Sequence, residues 1–190
     1  FSQPQSITGS ESTSTKGFKN IDEEQQPHFL DFFKTIKAYW TDEREYALPK
    51  QEIPVIDIDI NNLINDTQDA VFRLGHSSVL LRMDQELILF DPVFSERVSP
   101  VPWVGPKRFH QPPITISNLP KLKAVVISHD HYDHLDKTTI KLLNTKTEVF
   151  ITPLKVGEHL TAWGIESDKI IELDWWQSYR IETIQLTATP

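Results

Sequence analysis

The chain has seven histidines in 190 residues, and three of them share one run with two aspartates: Ser128-His129-Asp130-His131-Tyr132-Asp133-His134. Imidazole nitrogens and carboxylate oxygens at this density form a donor set for divalent cations, and with no cysteine in the chain no thiolate can contribute. Such ligands suit zinc, with manganese or iron(II) as alternatives. In an extended backbone side chains two apart share a side, so His129 and His131 can converge on one ion. A turn after them can aim Asp133 and His134 at a second ion, and the paired ions of two-metal hydrolases lie about 3.5–4 Å apart. Two cations sharing a water lower its pKa toward about 7, which makes an attacking hydroxide at neutral pH. The bland reading, a solvated loop whose histidines cap their neighbours, explains the order H-x-H-x-D-H less well than it would explain a lone H-x-H. A zincin helix is excluded, because no H-E-x-x-H occurs.

The run follows the apolar stretch Leu122–Ile127, which reads as an interior strand, and precedes Asp136, which can cap a helix reaching about Leu143. Open α/β sheets place ligands beyond strand ends of this kind. Upstream, VFRLG, SVLLRM and ELILFDPV read as strands, the last two joined through Asp84 and Gln85 as a tight hairpin. Downstream, EVFITP is a further strand, a helix runs from about Val156 to Trp163 and stops at Gly164, and IIELDWW, SYRIET and IQLTAT supply more strands. Strand, helix, strand, helix and then antiparallel strands imply an α/β sandwich. Before this, residues 1–20 are too polar to bury a core and read as a disordered tail. Residues 21–69 read as an amphipathic helix from Pro27 to about Trp40 followed by a connecting arm with an edge strand in IPVIDIDI.

The formal net charge of −8 argues against a basic nucleic-acid-binding surface. No stretch approaches the roughly 20 apolar residues of a membrane-spanning helix. The Ser/Thr/Gln-rich start without Met suits a segment that follows a leader, which favours export, periplasmic or membrane-associated, over a cytoplasmic address. Two further polar residues upstream are site candidates. Asp91 closes the strand ELILF, where it can start a turn before Pro92. His76, in a Gly-His-Ser-Ser turn, either lines the cleft or makes a structural hydrogen bond. Trp103, His110, Trp175 and Trp176 fit core packing better than ligand contact, and Lys107-Arg108 reads as surface charge or a phosphate-attracting pair.

His129-x-His131-x-Asp133-His134 resembles the signature of the metallo-β-lactamase fold superfamily. Leu74–Leu81, Leu89–Ser95, Ser99-Pro100, Ile127–Asp136 and Glu172–Trp176 are together similar to its N-acyl-phosphatidylethanolamine-hydrolysing phospholipase D branch and bacterial relatives, with Phe18-x-Asn20 a weaker hint. The resemblance covers about residues 70–190. It implies the N-terminal half of a metallo-β-lactamase-like αβ/βα sandwich and a binuclear zinc hydrolase. In that assignment His129 and His131 hold one ion, Asp133 and His134 the other, and Asp133 is also the catalytic carboxylate. Asp91 stands behind the ligands as an orienting group.

The implied substrate is a phosphodiester or lipid-like molecule. A lactone or carboxylic ester on the same fold, and a non-catalytic module, are the alternatives. The family pattern also requires a third histidine, a bridging aspartate and a last histidine. Thr187-Ala188-Thr189-Pro190 resembles the lead-in to the next of these. The expectation is therefore that a missing half or a second copy completes the site, and that residues 1–190 alone are inactive or nearly so.

Overall fold

Six strands form one mixed sheet: β1 (Ala70–Gly75), β2 (Ser78–Met83), β3 (Glu86–Phe90), β4 (Leu122–Val126), β5 (Thr147–Pro153) and β6 (Ile170–Leu173), adjacent in that order. β1 to β3 are an antiparallel meander; β3 to β6 run parallel. This computed structural model describes residues 13–14, 17–18, 49–99, 105 and 107–190. The helix expected over Pro27–Trp40 and Trp103 lie outside the described residues, as does the tail apart from a two-residue pairing of Thr13–Ser14 with Gly17–Phe18.

The turn between β2 and β3 has both central residues, Asp84 and Gln85, at positive φ (49° and 68°). That is the twist a two-residue hairpin requires. The parallel strands are joined by α2 (Lys137–Leu143) and α3 (Gly157–Ala162), following α1 (Ile60–Asn65) at the start of the described body. Asp136 caps α2 as the sequence suggests, accepting from the amides of Thr138 and Thr139.

β3, β4 and β5 read as continuous apolar runs because successive side chains enter two different cores. Leu89, Val125 and Phe150 pack toward the helices, against Leu63 of α1, Ile140 of α2 and Leu160 of α3. Their neighbours Ile88, Ala124 and Ile151 face the opposite way, against Ile181 and Ile184 of the hairpin β7 (Ser178–Ile181) and β8 (Ile184–Thr187). Lys123 of β4 ties that hairpin down through Glu182 (3.3 Å) in its turn, while also pairing with Glu148 of the neighbouring β5 (3.1 Å).

One local expectation gives way. Among the described residues no strand forms in IPVIDIDI; instead Ile58 N–H bonds Pro113 O (2.9 Å) and Asp59 caps α1 by accepting from Asn61 N (2.8 Å). The alternation of that segment serves a loop and a helix start.

Candidate metal centre

β3 and β4 run in register, Phe90 opposite Val126, so the residues that follow each strand emerge side by side. Asp91 N–H still bonds Val126 O (2.9 Å), and Asp91 then adopts φ 42°. Its carboxylate, in a residue 9% exposed, is shared within the loop that follows β4. Oδ1 accepts from Ser128 N (2.7 Å), while Oδ2 accepts from Ser128 Oγ (2.8 Å) and from His134 Nδ1 (2.8 Å).

These bonds assign the imidazole tautomers. A serine hydroxyl has one proton, and at Ser128 it goes to Asp91, since a carboxylate only accepts. Ser128 Oγ therefore accepts from His129 Nδ1 (2.9 Å), and His134 Nδ1 must donate to Asp91. Both rings carry hydrogen on Nδ1 and, when neutral, a lone pair on Nε2. A hydrogen bond on the far nitrogen is how a ligating histidine is ordinarily oriented.

The rings of His129 and His134 lie 4.0 Å apart, and one ligand atom from each of His129, Asp133 and His134 lies within 4.8 Å of the others. Asp133 is gripped from the β1–β2 turn: His76 Nε2 is 3.1 Å from its Oδ2, and Ser77 Oγ donates to its carbonyl (2.6 Å). Ser78 Oγ in the same turn donates to Asp91 O (2.8 Å) and accepts from Val93 N (2.9 Å).

Electrostatics favours the ligating forms. Burial, then repulsion from His134 and His131, lowers the His129 pKa and keeps that ring neutral. Burial by itself would raise the Asp133 carboxyl, but the His76 hydrogen bond, its own backbone amide and the His134 and His76 charges together bring it below the ordinary value. Neutral imidazole and ionised carboxylate are the states a metal binds.

His131 is exposed, because the loop bends at Asp130 and His131; its ring lies 4.6 Å from that of His129, outside the set of three. Asp91 and His76 both hydrogen-bond members of that set. Ser128 is a participant that pattern alone did not single out. Its only signal was its place before the first histidine at a strand end.

Lys107 pairs with Glu96 (2.7 Å), and Arg108 donates inward to Val93 O (2.7 Å) and Ser95 O (3.2 Å). Trp176 is exposed, whereas Trp175 lines a cavity of about 700 Å³ with Phe90, Ile151, Leu173 and Leu186. The same cavity reaches His129.

The chain is 48% identical over 122 residues to an uncharacterized protein of Mycobacterium tuberculosis, covering 64% of this chain and 33% of that one. It is 34% identical over 132 residues to N-acyl-phosphatidylethanolamine-hydrolyzing phospholipase D 1 of Caenorhabditis elegans, covering 66% of this chain and 37% of that protein. The chain thus spans about a third of the length of the curated relatives it matches. Among solved structures, CmlA, a diiron beta-hydroxylase from Streptomyces venezuelae, superposes with a TM-score of 0.51 at 19% identity, over 66% of this chain and 24% of that one, a likeness of fold. Residues 86–190, from β3 through the strand-end cluster to the last hairpin, match the family described as Beta-lactamase superfamily domain, and the chain belongs to that family.

Proposed function

We propose that the strand-end cluster holds a pair of divalent metal ions, zinc first among them, and that the protein is a metal-dependent hydrolase of phosphodiester, lipid-like substrates. The observation that carries this reading is the convergence of His129, Asp133 and His134 on one point, with both Nδ1 atoms occupied by Asp91 and Ser128. The donor set fits the ions: nitrogen and oxygen ligands, no sulfur, and a partner behind the rings of His129 and His134. His129 and His131 would hold one ion and Asp133 and His134 the other, with Asp133 as the catalytic carboxylate. When bound, the ions supply Lewis acidity and an acidified water.

The chain's own residues do the rest. Asp91 fixes the proton of His134 on Nδ1 and, through Ser128, that of His129. His76 restrains the carboxylate of Asp133. The apolar cavity beside His129 would take the hydrocarbon part of a lipid-like substrate. The name of the Caenorhabditis elegans relative supports a phosphodiester as the bond cleaved.

Two ligands per ion fall short of the three protein ligands of catalytic zinc sites, so residues 1–190 by themselves are expected to hold metal weakly and turn over slowly. The test compares hydrolysis of bis(p-nitrophenyl) phosphate with that of p-nitrophenyl acetate and a lactone, for residues 1–190 and for the longest polypeptide that contains them. Phosphodiester cleavage that a chelator abolishes and zinc restores is expected. Cleavage of the ester or lactone alone would move the protein to a different substrate class, and turnover indifferent to chelation would remove the metal from the reaction.

A further inference from the structure

The turn that grips Asp133 is itself held from outside by a residue the proposed chemistry does not use. Gly75 has φ 120°, a backbone state that side chains with a Cβ rarely adopt, and a Cβ added there would sit 2.9 Å from Cε1 and 3.2 Å from Nε2 of His110. The Cε1–Nε2 edge of the His110 imidazole therefore occupies the space a side chain at Gly75 would need. It is held in place by its own Nδ1, which donates to Gln111 O (2.8 Å), since a carbonyl can only accept.

The segment that carries His110 is strapped to the residues after β3. Arg97 Nη1 donates to Gly105 O (2.7 Å), Arg108 donates to Val93 O and Ser95 O, and Lys107 pairs with Glu96. On its other side the turn places His76 at φ 49°, with Nε2 on Asp133 Oδ2 and Ser77 Oγ on Asp133 O. Asp133 is thus held by a turn that has solid contact above it.

We propose that His110 is a positioning residue: its ring packed on Gly75 latches the Gly75–Ser78 turn and so fixes where His76 holds the Asp133 carboxylate. The latch rests on the metal-centre reading for its consequence, since a carboxylate free to swing is a poorer ligand. Outer partners of metal ligands commonly change affinity by about 10–100-fold. The absence of a side chain at Gly75 is what lets the ring approach, so the pair acts as one device.

The experiment has two independent readouts. In metal-free protein, the imidazole nitrogen chemical shifts of His76 report its bond to Asp133. In a cobalt(II) titration, affinity and the visible spectrum report the ligand set. His110→Ala, or His110→Gln should the alanine variant not fold, is expected to shift the His76 nitrogens and weaken cobalt(II) binding about tenfold with an altered spectrum. His110→Phe, which keeps a ring over Gly75, is expected to restore most of both.

Unchanged His76 shifts and unchanged cobalt(II) binding in a folded His110 variant would overturn the latch, as would a folded phenylalanine variant that restores neither. Failure of the metal reading looks different. The unaltered protein would then take up no cobalt(II), while its His76 shifts still responded to His110.

Discussion

The two ends of β2 carry polar clusters that differ in one respect. At the far end Arg82, 3% exposed, donates to Gln68 O (2.7 Å), to Asn62 O (2.9 Å) and Leu63 O (3.2 Å) of α1, and to the Asp66 carboxylate (2.8 Å). It closes the last turn of a helix, and each of its nitrogens has a protein partner. At the near end Ser78 anchors Asp91, Asp91 and Ser128 take the Nδ1 protons of His134 and His129, and the Nε2 of His134 faces the Asp133 carboxylate, 3.7 Å away, within the candidate ligand set. A polar cluster built for stability closes on itself. One built for a ligand is closed on one side and convergent on the other.

The difference between the two ends is open to direct test, and the largest effect is expected at Arg82. Arg82→Ala removes the side-chain donor to Asn62 O and Leu63 O of α1 and to Gln68 O, together with the partner of the Asp66 carboxylate, and is expected to cost about 3 kcal/mol of folding stability, read by urea denaturation. Zinc affinity of the molecules that remain folded should not change; a large loss of affinity would erase the distinction between the two ends.

Asp91→Asn is expected to do the reverse. It replaces one acceptor of the His134 proton and should weaken zinc binding roughly 10–100-fold, read by competition with a chromophoric chelator, with a smaller change in stability. Asp136→Ala probes a third polar cluster, at the start of α2. That carboxylate caps α2 and also accepts from Ser95 N (2.9 Å) and Thr139 Oγ1 (2.6 Å). Its removal should cost about 1–2 kcal/mol, with metal affinity preserved.

The smallest effect is that of pH on the metal-free chain. Because burial lowers the His129 pKa from 6.5, the unfolded chain takes up a proton there that the folded chain resists. That contribution to stability is complete above pH 6.5 and declines as pH falls below it. Asp133, also lowered, adds a loss confined to pH values under its ordinary 3.8. Denaturation midpoints that rise on acidification from pH 7 to 5.5 would contradict the first of these.

Much of this molecule is legible locally. Asp84-Gln85 between alternating strands specifies a hairpin, Asp136 specifies a helix start, and the unbroken apolar run of β4 specifies an interior strand with something polar at its end. IPVIDIDI misleads because alternation is a strand signal only where a neighbouring strand exists to pair with, and there the backbone bonds a proline carbonyl in a loop instead. Ser128 and His76 could be seen but not assigned. Their partners lie 37 and 57 residues away along the chain, and only the register of β3 on β4 and the gripping turn after β1 bring them together.

The most direct test of the convergent site is the zinc bound at equilibrium dialysis against a fixed concentration of free zinc, which also registers a weakly held ion, by elemental analysis, for the unaltered chain, His129→Ala and Arg82→Ala, with folding checked in each. Zinc retained by the unaltered chain and by folded Arg82→Ala, and lost from His129→Ala, is the expected result. Equal zinc in the unaltered chain and His129→Ala, or none in either, would mean that the imidazoles held by Asp91 and Ser128 do not serve a metal.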